Sequence, residues 1–487
     1  MHPGVDPLPR SGTWTFRPSI ALVLVIFIGL GLRSQASLAP DCIPGWDGAY
    51  YFVQVRGLLR EGSLPFPDFP LLYYALAALA WLLSGFMAAG TAIEAAVRWT
   101  DAILPVSLAI PIYLFAWPCF GIDRGRAALA ILLVGLIAVA SGNVLLMAGD
   151  MIKNACALPF SFFYIYCLYR LLREGGLRWT LLAILAFLLS SLTHFSALAL
   201  NAAFSVCFAS LALSRAGAKI ALGLLAGVGL AIACIPALDP ARGERLINIL
   251  LHPGGFFAPP SLAALERPEP WLGAVLGLLG GIALWVHRKE MDHATRILLG
   301  AATLTTLAFV FPFLRADLLE RLALVSFVTG LVPAIYLVCR NPLGSALVAP
   351  ITALVMLHGA LAVKTSRVTG LVQSAREDLE RLKTSLPSGR NLVLVNHGMR
   401  WWTAWLLETH FCTGAARALA DRDSYDAVLL LEEVRPGAFG RFPSTLATMP
   451  GASLRDGERL RGETFTVLRE GAFFRLSRLE RPLRERP

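Results

Sequence analysis

The residues best suited to chemistry in this chain are acids and bases that interrupt long apolar runs. Asp47 lies in Pro44-Gly45-Trp46-Asp47-Gly48-Ala49-Tyr50-Tyr51, just after the first hydrophobic stretch, with Tyr50 and Arg56 beside it. A carboxylate so placed can take a proton from an attacking hydroxyl or amide, or hold a divalent cation. Its plainer role is a loop acid or the N-cap of a helix over 48–60. Asp41 is a second acid, nearer the hydrophobic stretch. Asp150, Lys153 and Asn154 follow in Gly149-Asp150-Met151-Ile152-Lys153-Asn154. A lysine at a helix start, as Lys153 would be, can hold a phosphate. The alternative there is an N-cap acid followed by a snorkelling lysine. His194 can hydrogen-bond a phosphate in either charge state, or simply pack. Arg321, close to Asp317 and Glu320, suits a phosphate or an arginine–acid pair.

These groups need a membrane bundle to position them. The chain has 487 residues, 56% hydrophobic and 16% charged, a balance that fits a polytopic α-helical membrane protein. Apolar runs of about 16–22 residues, the length that crosses hydrocarbon, recur up to Val363. Eleven spans are expected: 18–33, 101–120, 127–147, 155–172, 178–193, 195–213, 219–237, 271–287, 296–314, 322–339 and 346–363. The first lacks a small-residue cleavage site and reads as a retained anchor, not a signal peptide. The net charge of +10 does not point to nucleic acid, because most Lys and Arg flank the spans.

One further apolar segment, 70–89, decides the topology. If it crossed, Arg124, Arg126, Arg170, Arg173, Arg178, Arg215, Lys219, Arg288 and Lys289 would all lie outside, against the positive-inside bias. A re-entrant or interfacial 70–89 puts them inside, with the N-terminus. Asp47, the 149–154 segment, Thr193-His194 and Arg315/Asp317/Arg321 then share the external face, as does the loop 239–270, expected partly mobile. Past Lys364 the composition changes. An amphipathic helix over 372–385, strands over 391–396, 426–431 and 464–468 and a helix over 400–409 make a small extracytoplasmic α/β domain, residues 365–487. Its Arg-rich stretch, 469–486, can meet anionic headgroups. Of eight cysteines, Cys42 and Cys412 fall on the external side, where a disulfide is conceivable.

The Trp46–Tyr51 block, followed by Arg56 and Leu58-Leu59-Arg60-Glu61-Gly62, resembles the first external loop of the GT-C glycosyltransferases. Within that superfamily it is similar to the oligosaccharyltransferase catalytic subunits and the protein O-mannosyltransferases. The resemblance implies a transmembrane GT-C domain, residues 1–364 with the first external loop at 34–100. It implies an inverting enzyme using a polyprenyl-phosphate or -pyrophosphate sugar donor and a glycan, lipid or protein acceptor. Asp47 would be catalytic, Asp150 a second acid or co-ligand of Mg2+ or Mn2+, and Lys153, Asn154, His194, Arg321, Tyr50 and Arg56 substrate-binding. A metal-free scheme needs only Asp47, and no dense carboxylate cluster is visible. Trp401-Trp402 is similar to the oligosaccharyltransferase Trp-Trp-Asp-Tyr-Gly motif and suits stacking on a sugar or peptide, or packing against the membrane face; the acid, tyrosine and glycine are missing. The expected location is a bacterial inner membrane. The rival reading is a transporter or flippase for lipid-linked saccharides that binds with the same groups; a non-catalytic assembly protein is a third. There is no Walker A loop, GxGxxG, GxSxG or HExxH.

Overall fold

Runs of Leu, Ala, Val and Ile without charge form long helices because only intrahelical hydrogen bonding satisfies the backbone away from water. A computed structural model of the chain describes residues 17–480 apart from 122, 214–217, 239, 241–242, 245–250, 261–265, 367–370, 396–397, 414, 436–437 and 439–463. Each of the eleven expected spans meets a helix, but only nine helices among the described residues are long and apolar enough to cross a membrane. The expected spans 178–193 and 296–314 are the shorter helices Leu177–Ser191 and His293–Phe309. The count of eleven is therefore not carried by length. The multi-pass character is.

The first span is longer than its apolar run. Helix α1 (Pro18–Ser37) continues through Arg33, which is fully buried and ion-paired with Asp101 on α4 (Ala89–Ile103). Between them lie α2 (Gly48–Glu61) and α3 (Leu71–Leu83). Thirteen residues in α3 rise ~20 Å, short of the ~30 Å of hydrocarbon, which is consistent with a helix that does not cross. The chain from α4 onward continues as one long helical stretch to Phe120, through a 3₁₀ segment at Leu104–Leu108 and a π turn at Phe115–Phe120 around Pro118.

Contacts sort the bundle's two ends. At one, Phe120 packs on Tyr169 and Tyr336, Tyr169 hydrogen-bonds Thr295, and Arg126 donates to the Arg340 carbonyl. These contacts gather basic loops that the charge pattern assigns to one side. At the other end the Leu71 N–H donates to the Leu192 carbonyl, and Asp47 meets Asp150. The described part of the 239–270 loop is also tied at an end: Ala258 N–H donates to the Phe313 carbonyl and Arg315 N–H to that of Phe256.

The C-terminal part forms a five-stranded sheet of order β2-β1-β3-β5-β4, from β1 (Asn391–Leu394), β2 (His410–Cys412), β3 (Ala427–Glu433), β4 (Phe465–Glu470) and β5 (Phe474–Leu479). The pairs β1–β2 and β1–β3 are parallel, β3–β5 and β4–β5 antiparallel. Two strands were missed by sequence. β2 has only three residues. β5 lies within the arginine-rich stretch, where Phe474 and Leu476 point inward and Arg478 outward. Residues 481–486 of that stretch lie outside the described residues, as does the expected strand end at Asn396. The sheet is not a loose appendage. Phe52, Leu76, Ile93 and Val97 from the 34–100 segment share one hydrophobic cluster with Leu379, Trp402, Leu429 and Phe474. All eight cysteines are free; Cys42 packs by Gln373 while Cys412 sits in β2, so the conceivable disulfide is not formed.

Candidate active site

Two tight turns interlock to build the site. Gly45 has φ +82° and Gly149 φ +75°, a region where glycine alone is unstrained. They also face each other's segments closely: a Cβ on Gly45 would lie 2.5 Å from the Asp150 Cβ, and one on Gly149 would lie 2.3 Å from the Pro44 carbonyl oxygen. This fit lets the Asp47 backbone N–H donate to Asp150 Oδ1 at 2.7 Å. Gly45→Ala should therefore lower stability by about 1–3 kcal/mol, from left-handed strain plus the clash. A melting temperature equal to wild type in detergent would show the interlock to be loose.

Asp47 sits at the N-cap position of α2, but its side chain makes no cap hydrogen bond. Its Oδ1 instead accepts from the Trp401 indole N–H at 2.8 Å, with Arg400 Nη2 at 3.4 Å. The side chain is 48% exposed, and Oδ2 has no partner among the described residues. Asp150 is partly buried. Burial pushes its carboxyl above the usual carboxylate range, against the backbone N–H groups of Asp47 and Trp46, while the Asp47 charge adds to the rise.

Behind this pair lies a buried acid that the sequence reading passed over. Asp68 is 4% exposed and accepts from the Tyr50 hydroxyl at 2.7 Å, the Tyr73 hydroxyl at 2.8 Å and Lys153 Nζ. Lys153 lies 5.7 Å and 5.4 Å from the Tyr50 and Tyr73 ring centres. Burial first, then the Asp68 charge, raises the Tyr50 hydroxyl well above its ordinary value. A signal was present: Asp68 is the lone charge in Pro65-Phe66-Pro67-Asp68-Phe69-Pro70, directly before an apolar helix.

The remaining candidates separate. Lys153 is buried and ion-paired with Asp68, so its ammonium faces inward. Asn154 is buried, its Oδ1 without a hydrogen bond among the described residues. Arg56 donates to the Ala404 and Trp405 carbonyls at 2.6 and 2.8 Å, fastening α2 to the helix Arg400–Leu406. His194 is the N-cap of Phe195–Ala212, its Nδ1 accepting the Ser196 N–H at 3.0 Å. Arg321 lines a 300 Å³ cavity with Leu146, Met151, Arg267 and Glu269; among the described residues it has no hydrogen bond or ion pair, because Glu320 is taken by Arg267 and Asp317 by Arg315. Asp41 is exposed, and its carbonyl accepts from Arg98. The Trp401-Trp402 pair packs rather than stacks. Both are buried, Trp402 completely against Phe52, so neither offers an open face for stacking.

A divalent ion between Asp47 and Asp150 fits these donors poorly. Oδ1 of each carboxylate is already taken by N–H groups, and the Arg400 guanidinium is 3.4 Å from Asp47. Among the described residues no group of three or more His, Cys, Asp or Glu could hold a metal ion.

The fold is that of a multi-pass helical membrane protein, and it is shared with a solved structure of low sequence identity. The chain is similar to the crystal structure of ArnT from Cupriavidus metallidurans bound to undecaprenyl phosphate, with a TM-score of 0.56 and 12% identity over 95% of this chain and 97% of that one. The apo state of the same ArnT gives a TM-score of 0.53 at 12% identity over the same shares. The arabinosyltransferase EmbB from Mycobacterium smegmatis gives 0.42 at 13% identity, over 78% of this chain and 34% of that one. No protein-family model matches the sequence, and no curated protein matches it.

Proposed function

We propose that this protein is a membrane glycosyltransferase that moves a sugar from a polyprenyl-phosphate-linked donor to an extracytoplasmic acceptor. The observation that carries the reading is Asp47: a half-exposed carboxylate with its backbone held by Asp150, one oxygen held and the other without a partner among the described residues. It occurs in a fold shared with a protein crystallised with undecaprenyl phosphate.

In this reading Asp47 Oδ2 takes the proton of the acceptor hydroxyl or amide as that atom bonds to the sugar's C1. The bond from C1 to the phosphate oxygen breaks, its electron pair leaves with polyprenyl phosphate, and C1 inverts. Arg321, with no ion pair among the described residues, is the group available to the leaving phosphate. His194 and Asn154 are supporting contacts. Lys153 acts through Asp68, keeping Tyr50 in place rather than touching phosphate. A 750 Å³ cavity of mainly apolar lining, running from Phe69 and Leu192 past Tyr164 to Gly227, suits the lipid tail. The membrane domain of 1–364 would present this site outside a bacterial inner membrane, with the N-terminus cytoplasmic and the domain of 365–487 extracytoplasmic.

The scheme is metal-free, so EDTA should leave turnover within about twofold of its untreated value. Loss of turnover restored by Mg2+ or Mn2+ would put a cation between Asp47 and Asp150 after all. The reading itself is tested by turnover. Purified protein given a lipid extract of its host membrane should convert a polyprenyl-phosphate sugar to free polyprenyl phosphate. A protein that binds that lipid and leaves it intact is a carrier or flippase.

A further inference from the structure

We infer that the C-terminal domain is part of the catalytic apparatus, with Trp401 as the positioning residue that fixes the Asp47 carboxylate for proton transfer. This inference rests on the proposed role of Asp47 as base.

A carboxylate at the mouth of a loop rotates freely about its last bond, and only one rotation aims an oxygen at the acceptor. Trp401 removes that freedom. Its indole N–H has Asp47 Oδ1 as its partner at 2.8 Å. The ring itself cannot shift easily: it is 7% exposed and lies 4.5 Å from Tyr50, 4.9 Å from Phe66 and 5.1 Å from Phe411, centre to centre. Arg400 stacks over the same ring at 4.7 Å and approaches Oδ1 from a second direction.

The helix that carries both residues is fastened to the 34–100 segment at its far end as well. Arg56 holds the carbonyls of Ala404 and Trp405. The Trp405 indole N–H donates to Glu94 Oε1 at 3.0 Å, and Glu94 takes a two-pronged arginine contact from Arg376 at 2.7 and 2.9 Å. The helix Arg400–Leu406 is thus anchored by polar contacts at its C-terminal end while its N-terminal turn grips Asp47. That arrangement holds an acid in one orientation; packing alone would not need the N–H contact.

Trp402 supplies an internal control. It is also fully buried, against Phe52, but its indole N–H has no hydrogen-bond partner among the described residues. Trp→Phe at either site keeps a ring and removes an N–H, and only at Trp401 is a contact to Asp47 lost.

The experiment compares full-length wild type, Trp401→Phe, Trp402→Phe and Asp47→Asn in detergent, using host lipid extract as donor and release of polyprenyl phosphate as readout. Trp401→Phe should lower the turnover number roughly 10-fold, the worth of one hydrogen bond to a charged group, with the half-saturating extract concentration unchanged. Trp402→Phe should stay within about twofold of wild-type turnover. Equal turnover in the two tryptophan variants, or a Trp401→Phe effect seen only in half-saturation, overturns the inference. Should Trp401→Phe fail to fold, Arg400→Gln takes its place and should slow turnover severalfold; wild-type turnover there counts against the inference. Asp47→Asn separates the two ideas. If it turns over like wild type, the base role fails; if it is inactive while Trp401→Phe is unimpaired, only the positioning role fails.

Discussion

Asp47→Asn should lower turnover by about 10²–10⁴-fold, the range a general base contributes, and leave the fold intact. Asparagine is nearly the same shape, and its side-chain oxygen can still accept the Trp401 N–H. The Asp47 backbone N–H that reaches Asp150 is untouched by the change. Because the carboxylate is 48% exposed and its partner Arg400 22% exposed, at 3.4 Å, the change leaves no fully buried charge behind, and stability should stay within about 1 kcal/mol. Turnover and melting temperature on the same preparation check both halves. An active Asp47→Asn variant would move the search for the base elsewhere, and an unfolded one would make Asp47 a structural acid.

Asp101→Asn should destabilise the protein by about 3–5 kcal/mol, because it strands a buried charge. Arg33 and Asp101 are both fully buried. The Asp101 carboxylate takes Arg33, the Ser37 hydroxyl and, at 2.9 Å, the Gly149 N–H. Arg33 Nε in turn donates to the Asp101 backbone carbonyl at 2.9 Å, and another of its nitrogens to that of Val144. One charge pair therefore ties α1, α4 and the turn that ends at Asp150. Removing one member should also loosen the Asp47–Asp150 contact and cost turnover. Replacing both, as Arg33→Met with Asp101→Leu, should recover much of the melting temperature, since no charge is then unpaired, but not the grip on Gly149. A single Asp101→Asn variant melting within a degree or so of wild type would mean that water reaches the pair.

Much of the fold was written in patterns that act locally. Apolar runs and their basic flanks marked the long helices, and 70–89 was read as non-crossing from loop charge, an expectation with which the thirteen-residue α3 is consistent. Boundaries failed where a tertiary partner extended a helix past its apolar run, as Arg33 does by finding Asp101. β5 was hidden because its outward positions carry arginine, which reads as a basic tail until the inward Phe474 and Leu476 are paired with β3. The site divides the same way. Asp47 and Asp150 stood out as acids in apolar surroundings. Their meeting depends on two glycines whose need for close approach appears only in three dimensions. The Trp401–Asp47 contact joins residues 354 positions apart, and nothing in either local sequence announces it. Lys153 looked like a phosphate ligand because a lysine at a helix start suits one; Asp68, folded back from the preceding segment, takes it instead.

The most direct measurement is mass spectrometry of the lipids that co-purify with wild type and with Asp47→Asn in mild detergent. A transferase stalled at its chemical step retains donor, so a polyprenyl-phosphate sugar should be enriched in the mutant and nearly absent from wild type, naming the sugar at the same time. Equal amounts of an intact saccharide-lipid in both would contradict transfer and identify a carrier.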